Sequence, residues 1–535
     1  MEMLQEIELA TESPQIDLDE NGVKTFFWPL SWKTHGIVRD AFLSGLANYL
    51  GSRICAGDED AEICAVIAWE YVVEALRCWY LLTVSRQVSE AGFTIMRTSN
   101  MGPLIDSPGR WHNKHDRIAL LRDRFRPARF RSVFRPLYGY LQNDGLSWGY
   151  PSLRKMKDAI IATDPSNLIQ QRARDQEEAV YLVSMRYWFS DACGSLPGDV
   201  RPFSLNKNDI DGLIHVLSES AKLSGDMLPG SLLQYLRNWL QEMSGIVRLY
   251  LEGLNAKPEK LPSRLWTGSG GHLYRRLMHV AIRRNGGQST SHDHGSGLGY
   301  LDIINANMTE FVTPDKFMTF NASQAVGYRR QQREDFRIAK SWPEVLGRVK
   351  GITNICKRHV NQKTTIENVV FVANSYRGAQ AVLTPIEFDM VALDWQARLF
   401  SVLVRYGYRV TNKVHPDTIA SPPRSLGLLP GVRSECRPLE SVMEEADLYI
   451  LDYLHTSALA SILQTDKPVV HINFGHCSLW PDAQVEFERR VKIVEGWTGP
   501  DNRLHVDWDI LRKGITESLD MTNDHSFINK YFVGV

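Results

Sequence analysis

The stretch Leu265–Tyr300, LWTGSGGHLYRRLMHVAIRRNGGQSTSHDHGSGLGY, decides how the rest of the chain is read. Its pattern predicts a short strand, a glycine-rich turn, an amphipathic helix, a second strand and a second glycine-rich turn. Gly268, Gly270 and Gly271 predict a turn that uses backbone angles closed to other residues and approaches a ligand closely. The helix is expected from about His272, with Leu273, Leu277 and Val280 on one face. Arg275, Arg276, Arg283 and Arg284 are expected to be available on the other side. Asn285-Gly286-Gly287 is a C-terminal cap signal. His292-Asp293-His294-Gly295 then falls where the second strand ends and the chain must bend. Strand ends of open α/β sheets face the ligand crevice, so these three ionisable side chains are the first candidates for chemistry.

At 535 residues the chain calls for at least two domains, and its 43% hydrophobic and 23% charged content is that of a globular protein. A formal net charge of −1 argues against a dedicated nucleic-acid binder. The charge is uneven, however. Between Arg110 and Arg135 nine Arg or Lys stand against two Asp, interleaved with Trp111, Phe125, Phe130 and Phe134. Such a segment suits anionic headgroups or a phosphorylated acceptor, or is simply a solvated basic face. The seven cysteines are scattered without zinc-knuckle or redox spacing, which points to reduced thiols and a cytoplasmic compartment. The acidic N-terminus carries no apolar run, and Ile63–Val84 is broken by Glu70, Glu74 and Arg77. The expectation is a soluble protein, peripheral to an inner membrane at most.

Taken in order, residues 1–20 read as a loose leader and Lys24–Leu30 as a short strand ended by proline. Ile63–Arg86 reads as a sandwiched helix, Phe93–Met96 as a strand, and Ser231 as the N-cap of a helix running to Val247. The polar run Gly327–Trp342 is the expected domain boundary, giving one domain over 1–326 and a second over 343–535. Beyond it the alternation is regular: strand Val369–Ala373, helix Asp389–Arg405, strand Tyr408–Val414, strand Asp447–Leu451, helix Ser457–Gln464, strand Pro468–Phe474 and a closing helix near Asp507–Leu519. The fold class is α/β, with two tandem Rossmann-like domains and a helix-rich N-terminal extension.

Three spots stand at predicted strand ends: His292-Asp293-His294, His415-Pro416-Asp417, and His455-Thr456-Ser457, where a strand passes directly into a helix. Thr456 and Ser457 would offer hydroxyls and free N–H groups to an anion, or merely cap the helix. A metal at His292/His294 lacks further ligands, so none is expected. TGSGG lacks dinucleotide spacing, and neither a P-loop nor a G-x-S-x-G elbow occurs.

The order HDHGSG, VHPD and ADLYILDYLHTSALASILQTDKPVVHINF, with the Trp266–Gly270 turn, resembles bacterial surface-carbohydrate glycosyltransferases of the GT-B fold. More distantly it is similar to the CDP-glycerol transferases and the capsule sialyl- and Kdo-transferases. The resemblance spans about residues 260–475. It implies that His294, with Asp293 competing, is the general base. It also implies that His415, Pro416, His455, Thr456 and Ser457 hold the donor nucleotide's phosphate. Thr267, Gly268, Ser269, Gly270, Arg275 and Gly295 would shape the acceptor side. The third motif reads His-Thr-Ser where a Ser-Ser pair is more usual, which leaves the donor open. The implied activity is metal-independent transfer from a nucleotide-sugar, a CMP-linked acidic sugar being favoured, to a glycan or lipid-linked glycan acceptor, with no further cofactor. The alternatives are a nucleotide-sugar epimerase on the same fold, or a silent glycan- or nucleotide-binding scaffold.

Overall fold

The computed structural model describes residues 18–24, 26–92, 147–148, 157, 159–185, 188–189, 205–293, 298–348, 365–376, 387–415, 426–427 and 429–533. The expected strand Phe93–Met96 and the basic segment 110–135 lie outside them. The described chain opens with a small hairpin, β1 (Leu18–Asp19) and β2 (Gly22–Val23), and the strand expected over Lys24–Leu30 does not form among the described residues 26–30 that follow it. Two long helices follow, α1 (Trp32–Cys55) and α2 (Glu59–Glu90). Asp58 caps α2 by accepting from the Asp60 and Ala61 N–H groups, and three acidic residues in its first turn suit the positive helix end. Its aliphatic and aromatic residues are buried on most faces, as a sandwiched helix requires.

The first sheet is built from β3 (Ser147–Trp148), β4 (Ile160–Ala162), β5 (Val180–Leu182), β6 (Arg264–Thr267), β7 (Gln288–His292), β9 (Lys316–Thr319) and β10 (Glu344–Gly347); β8 (Leu301–Asp302) stands apart. Its order is β10-β9-β7-β6-β4-β5-β3, all parallel. The helices used below are α3 (Asn167–Arg174) after β4, α4 (Lys207–Lys222), α5 (Gly230–Asn255), α6 (Leu273–Arg284) and α7 (Ala322–Gln331). Ser231 does not cap α5, which starts one residue earlier with Pro229 at the cap position. Proline suits that place because the first N–H groups of a helix have no intrahelical partner.

The second sheet comprises β11 (Asn368–Val372), β12 (Arg409–Lys413), β13 (Val432–Glu435), β14 (Leu448–Leu451), β15 (Val469–Asn473), β17 (Lys492–Thr498) and β18 (Leu504–Val506), with the short β16 (Ser478–Leu479) outside it. Its order is β13-β12-β11-β14-β15-β17-β18, parallel except for the last pair. Helices α8 (Asp389–Arg405), α9 (Ala458–Leu463) and α10 (Trp508–Glu517) accompany it. The apolar runs NVVFV and LYIL are buried almost throughout, as strands covered on both faces must be. The architecture is therefore two Rossmann-like α/β sheets in tandem with a helical N-terminal layer, a GT-B-like arrangement.

The expected break at 327–342 falls inside the first sheet's own framework. Gly327 of α7 lies so close to Gly299 that a Cβ there would sit 1.4 Å from the Gly299 carbonyl oxygen, and β10 then pairs along β9. The polar, basic look of that stretch comes from exposed residues of the last turn of α7, Arg329 and Arg330, and of the turn that follows it, Arg333 to Asp335. The chain ends also interleave. Val23 N–H donates to Asp394 of α8 at 2.9 Å, and Arg503 donates to the Val23 carbonyl, so the N-terminal hairpin sits on the second sheet's helix. The last residues return to the first half: Gln324 of α7 donates to the Tyr531 carbonyl at 3.0 Å, and Tyr300 packs against Phe527, Tyr531 and Phe532. Between these ties, β8 and β16 form a two-stranded antiparallel ribbon that joins the halves.

Arg275 and Arg276 of α6 are buried and Arg283 is half-buried, so only Arg284 faces outward as expected. Arg276 has no exposed surface: its guanidinium pairs with Glu70 of α2 and donates to the carbonyls of Val66 and Gly270, each at 2.8 Å. Arg283 and Arg284 both bind Glu62. Helix α6 carries this basic side against the acidic edge of α2, so ion pairing consumes what composition alone left free. Removing one partner of a buried pair strands the other charge. Arg276→Met is therefore expected to cost about 3–5 kcal/mol in urea unfolding, with Arg276→Met/Glu70→Leu recovering most of that loss. Equal destabilisation of the single and double variants would show that the pair contributes nothing specific.

Candidate functional site

Strand order reverses at two places, between β4 and β6 in the first sheet and between β11 and β14 in the second. Such reversals open a crevice at the carboxyl ends of the strands, because the flanking loops turn to opposite faces.

At the first crevice Asp164, just beyond β4, accepts from Gly268 N–H at 3.1 Å and from Arg275 at 2.5 Å. Arg275 also donates to the Ser269 carbonyl at 2.6 Å. Glu310 closes the loop from the other side, accepting from Ser269 Oγ at 2.6 Å and from Gly270 N–H at 2.7 Å. Gly270 is required by this closeness and not by a left-handed backbone, since a Cβ there would lie 2.3 Å from the Thr309 carbonyl oxygen. The glycine-rich turn thus approaches its own chain. Gly286, by contrast, does adopt the left-handed φ of +75° that the cap signal predicted, and Gly287 N–H returns to the Ile282 carbonyl at 2.9 Å.

The His-Asp-His segment divides. His292 is fully buried and held neutral: burial, then the Arg172 charge, pushes its imidazole well below the ordinary range. Its Nδ1 lies 2.9 Å from the Thr267 carbonyl, which fixes Nδ1–H as donor and leaves Nε2 to accept from Arg172 at 3.0 Å. Arg172 in turn covers the Trp266 ring at 3.9 Å from its centroid. His292 is a structural histidine. Asp293 is buried and accepts from the Tyr328 hydroxyl at 2.7 Å. His294 and Gly295 lie outside the described residues.

The second crevice opens onto a cavity of about 710 Å³ between the two halves. One wall is the ends of β11 and β12, with Val372, Ala373, Lys413 and His415, together with Cys436, Glu440, Thr456, Ser457 and Ser461. The facing wall is Asn167, Gln170, Gln171 and Arg174 of α3, with Phe320 at the end of β9. The structure therefore brings His415, Thr456 and Ser457 to one cavity from separate stretches of chain. His455 is not on that wall; its Nδ1 is hydrogen-bonded to the Tyr453 hydroxyl. Pro416 lies outside the described residues. Helix α9 spans only six residues, and Thr456 Oγ1 accepts from Ala458 N–H at 3.2 Å, so one of the two hydroxyls is partly spent on local capping.

Asp452 sits directly across the β11/β14 reversal, with Asn374 Nδ2 at 3.4 Å and Trp395 Nε1 at 3.2 Å. Burial pushes its carboxyl up to about 6, against the pull of His476, whose Nε2 is 2.8 Å from Glu387. Among the described residues no group of three or more His, Cys, Asp and Glu is placed to hold a metal, and no helix is long and apolar enough to cross a membrane. Among the described residues no disulfide joins Cys55, Cys64, Cys78, Cys436 and Cys477.

Sequence reasoning missed the α3 wall, Lys413 and Glu310. A signal for α3 was present: Asn167, Gln170, Gln171 and Arg174 recur at helical spacing opposite Leu168, Ile169 and Ala173, behind the cap residue Ser166.

No family model matches this sequence, and no curated protein matches it. Among solved structures, the crystal structure of Acinetobacter baumannii MurG matches over 70% of this chain and 98% of its own, at 9% identity and a TM-score of 0.30. A likeness of that size leaves the fold assignment to the two parallel sheets themselves.

Glu310 offers a measurable consequence. Burial, with the Asp293 charge, holds its carboxyl up at about 7 against the opposing hydrogen bonds from Ser269 and Gly270. A carboxyl whose folded value exceeds its unfolded one binds its proton more tightly in the native state. Its contribution to stability is complete below the unfolded value and is lost as pH rises through the folded one. Relative to Glu310→Gln, the wild type is therefore expected to lose melting temperature between about pH 4.5 and pH 7. Parallel melting curves across that range would refute the assignment.

Proposed function

We propose that this protein is a nucleotide-sugar-dependent glycosyltransferase that moves a sugar onto a bacterial surface-glycan acceptor, with a CMP-linked acidic sugar as the favoured donor. The observation that carries this reading is the convergence of His415, Thr456 and Ser457 on one cavity at the strand-order reversal of the second sheet. The donor would lie there, its phosphate against these three side chains. The acceptor would enter from the first sheet's crevice, where Asp293, or His294 beyond the described residues, takes the proton of the attacking hydroxyl. That oxygen bonds to the anomeric carbon as the bond from anomeric carbon to phosphate oxygen breaks, and the nucleotide departs with the electron pair. Base catalysis of this kind is typically worth about 10²–10⁴-fold. The charge developing on the phosphate is met by side chains of the protein, without a metal. The amide-rich wall of α3 suits a hydroxyl-rich sugar, because Asn and Gln both donate and accept.

Calorimetry and thermal melting with CMP, CDP, UDP and GDP test the reading. One nucleotide is expected to bind, stabilising by about 2.7 kcal/mol at 100 times its Kd. His415→Ala should weaken that binding by about tenfold or more, or about 1.4 kcal/mol. A protein that binds none of the four sinks the donor site and leaves a non-catalytic scaffold as the better account.

A further inference from the structure

Two lysines of the second half are buried, and they are treated differently. Lys467, 7% exposed, donates to the carbonyls of Met443, Glu444 and Ala446, so all three of its N–H groups have oxygen partners. Lys413, 5% exposed at the end of β12, donates to one oxygen, the Val414 carbonyl at 2.7 Å, and forms no ion pair among the described residues. Its side chain lines the 710 Å³ cavity.

Glu435 and Glu440 attract the ammonium from a distance, but neither forms an ion pair with it. Glu435 accepts from Arg433 at 2.9 Å and from Arg437 at 2.6 Å, and its charge is committed there. Glu440 shares the cavity wall and accepts from Ser461 Oγ at 3.2 Å. A buried ammonium with a single carbonyl partner is costly to maintain in an empty protein. The cost is offset when an anion enters the cavity and takes the remaining donors.

We propose that Lys413 is an anion anchor, its two remaining N–H donors binding the oxygens of a phosphate group in the cavity beside His415, Thr456 and Ser457. Lysine serves such groups as a compact point charge. The six-residue α9 supplies little dipole for the task, so the ammonium carries the charge that its N-terminus was expected to provide. In the transfer reaction Lys413 would stabilise the negative charge gained by the phosphate oxygen when its bond to the anomeric carbon breaks. That step rests on the glycosyltransferase reading; the anion site itself does not.

The test measures binding of inorganic pyrophosphate, CMP, UDP, cytidine and uridine to the wild type, Lys413→Met and Lys413→Arg, together with ligand-free melting. The expected result is loss of pyrophosphate and nucleotide affinity by about tenfold or more in Lys413→Met, about 1.4 kcal/mol. Nucleoside affinity should not change, Lys413→Arg should retain most of the binding, and ligand-free Lys413→Met should melt no lower than the wild type. Pyrophosphate binding that depends on Lys413, without any nucleotide binding, keeps the anchor and overturns the glycosyltransferase. Nucleotide binding that is indifferent to Lys413→Met keeps the glycosyltransferase and overturns the anchor. A wild type that binds no pyrophosphate and no nucleotide overturns it too, as does a ligand-free Lys413→Met that melts well below the wild type, since the ammonium would then be a structural strut.

Discussion

One fully buried guanidinium holds the first half of this molecule together. Arg276 ties the sandwiched helix α2, through Glu70 and Val66, to the glycine-rich turn, through the Gly270 carbonyl. The turn cannot drift without dragging a charged pair through the interior, where every alternative arrangement leaves an ion without its partner. The same turn is gripped from the crevice side by Asp164 through Gly268 and by Glu310 through Ser269 and Gly270. The donors of the turn are thereby spent within the protein: Gly268 and Gly270 N–H, Ser269 Oγ and Arg275 all meet Asp164, Glu310 or the Ser269 carbonyl.

The two crevices differ in character. The first is crowded with carboxyls: Asp164 and Glu310 grip the glycine-rich turn, and Asp293 accepts from Tyr328. The second is roomier and offers hydroxyls, an imidazole and an ammonium, with an amide-rich helix opposite. The proposed transfer would use carboxyls on one side and groups suited to an oxyanion on the other.

Much of this was legible in the sequence, and unevenly so. Helix Asp389–Arg405 was readable to the residue, and four of the seven strands of the second sheet, β11, β12, β14 and β15, to within a residue, because buried parallel strands are short apolar runs between helical periods; β13, β17 and β18, more polar and at or beside the sheet's edges, were not read. The places of His415, Thr456 and Ser457 followed from their position just after such runs. What was not legible was pairing across long separations. Nothing local distinguishes Arg276, consumed by Glu70, from an exposed helix arginine, nor His292, locked between Thr267 and Arg172, from a reactive one. Gly270 showed that something came close but not what, and it proved to be the chain's own Thr309 carbonyl. Lys413 escaped notice because an isolated lysine after a strand is ordinary until its burial and its missing counter-ion are seen.

The crossed ends of the chain bear on how the two halves hold together. The N-terminal hairpin grips α8 of the second half, while the C-terminal turns at Tyr531 and Phe532 grip α7 and Tyr300 of the first. With the β8–β16 ribbon, the halves are joined by straps running in opposite directions as well as by the covalent link after β10. Severing that link would release neither half, since each would still hold a piece of the other's surface. Each half is therefore stabilised in part by surface that the other contributes.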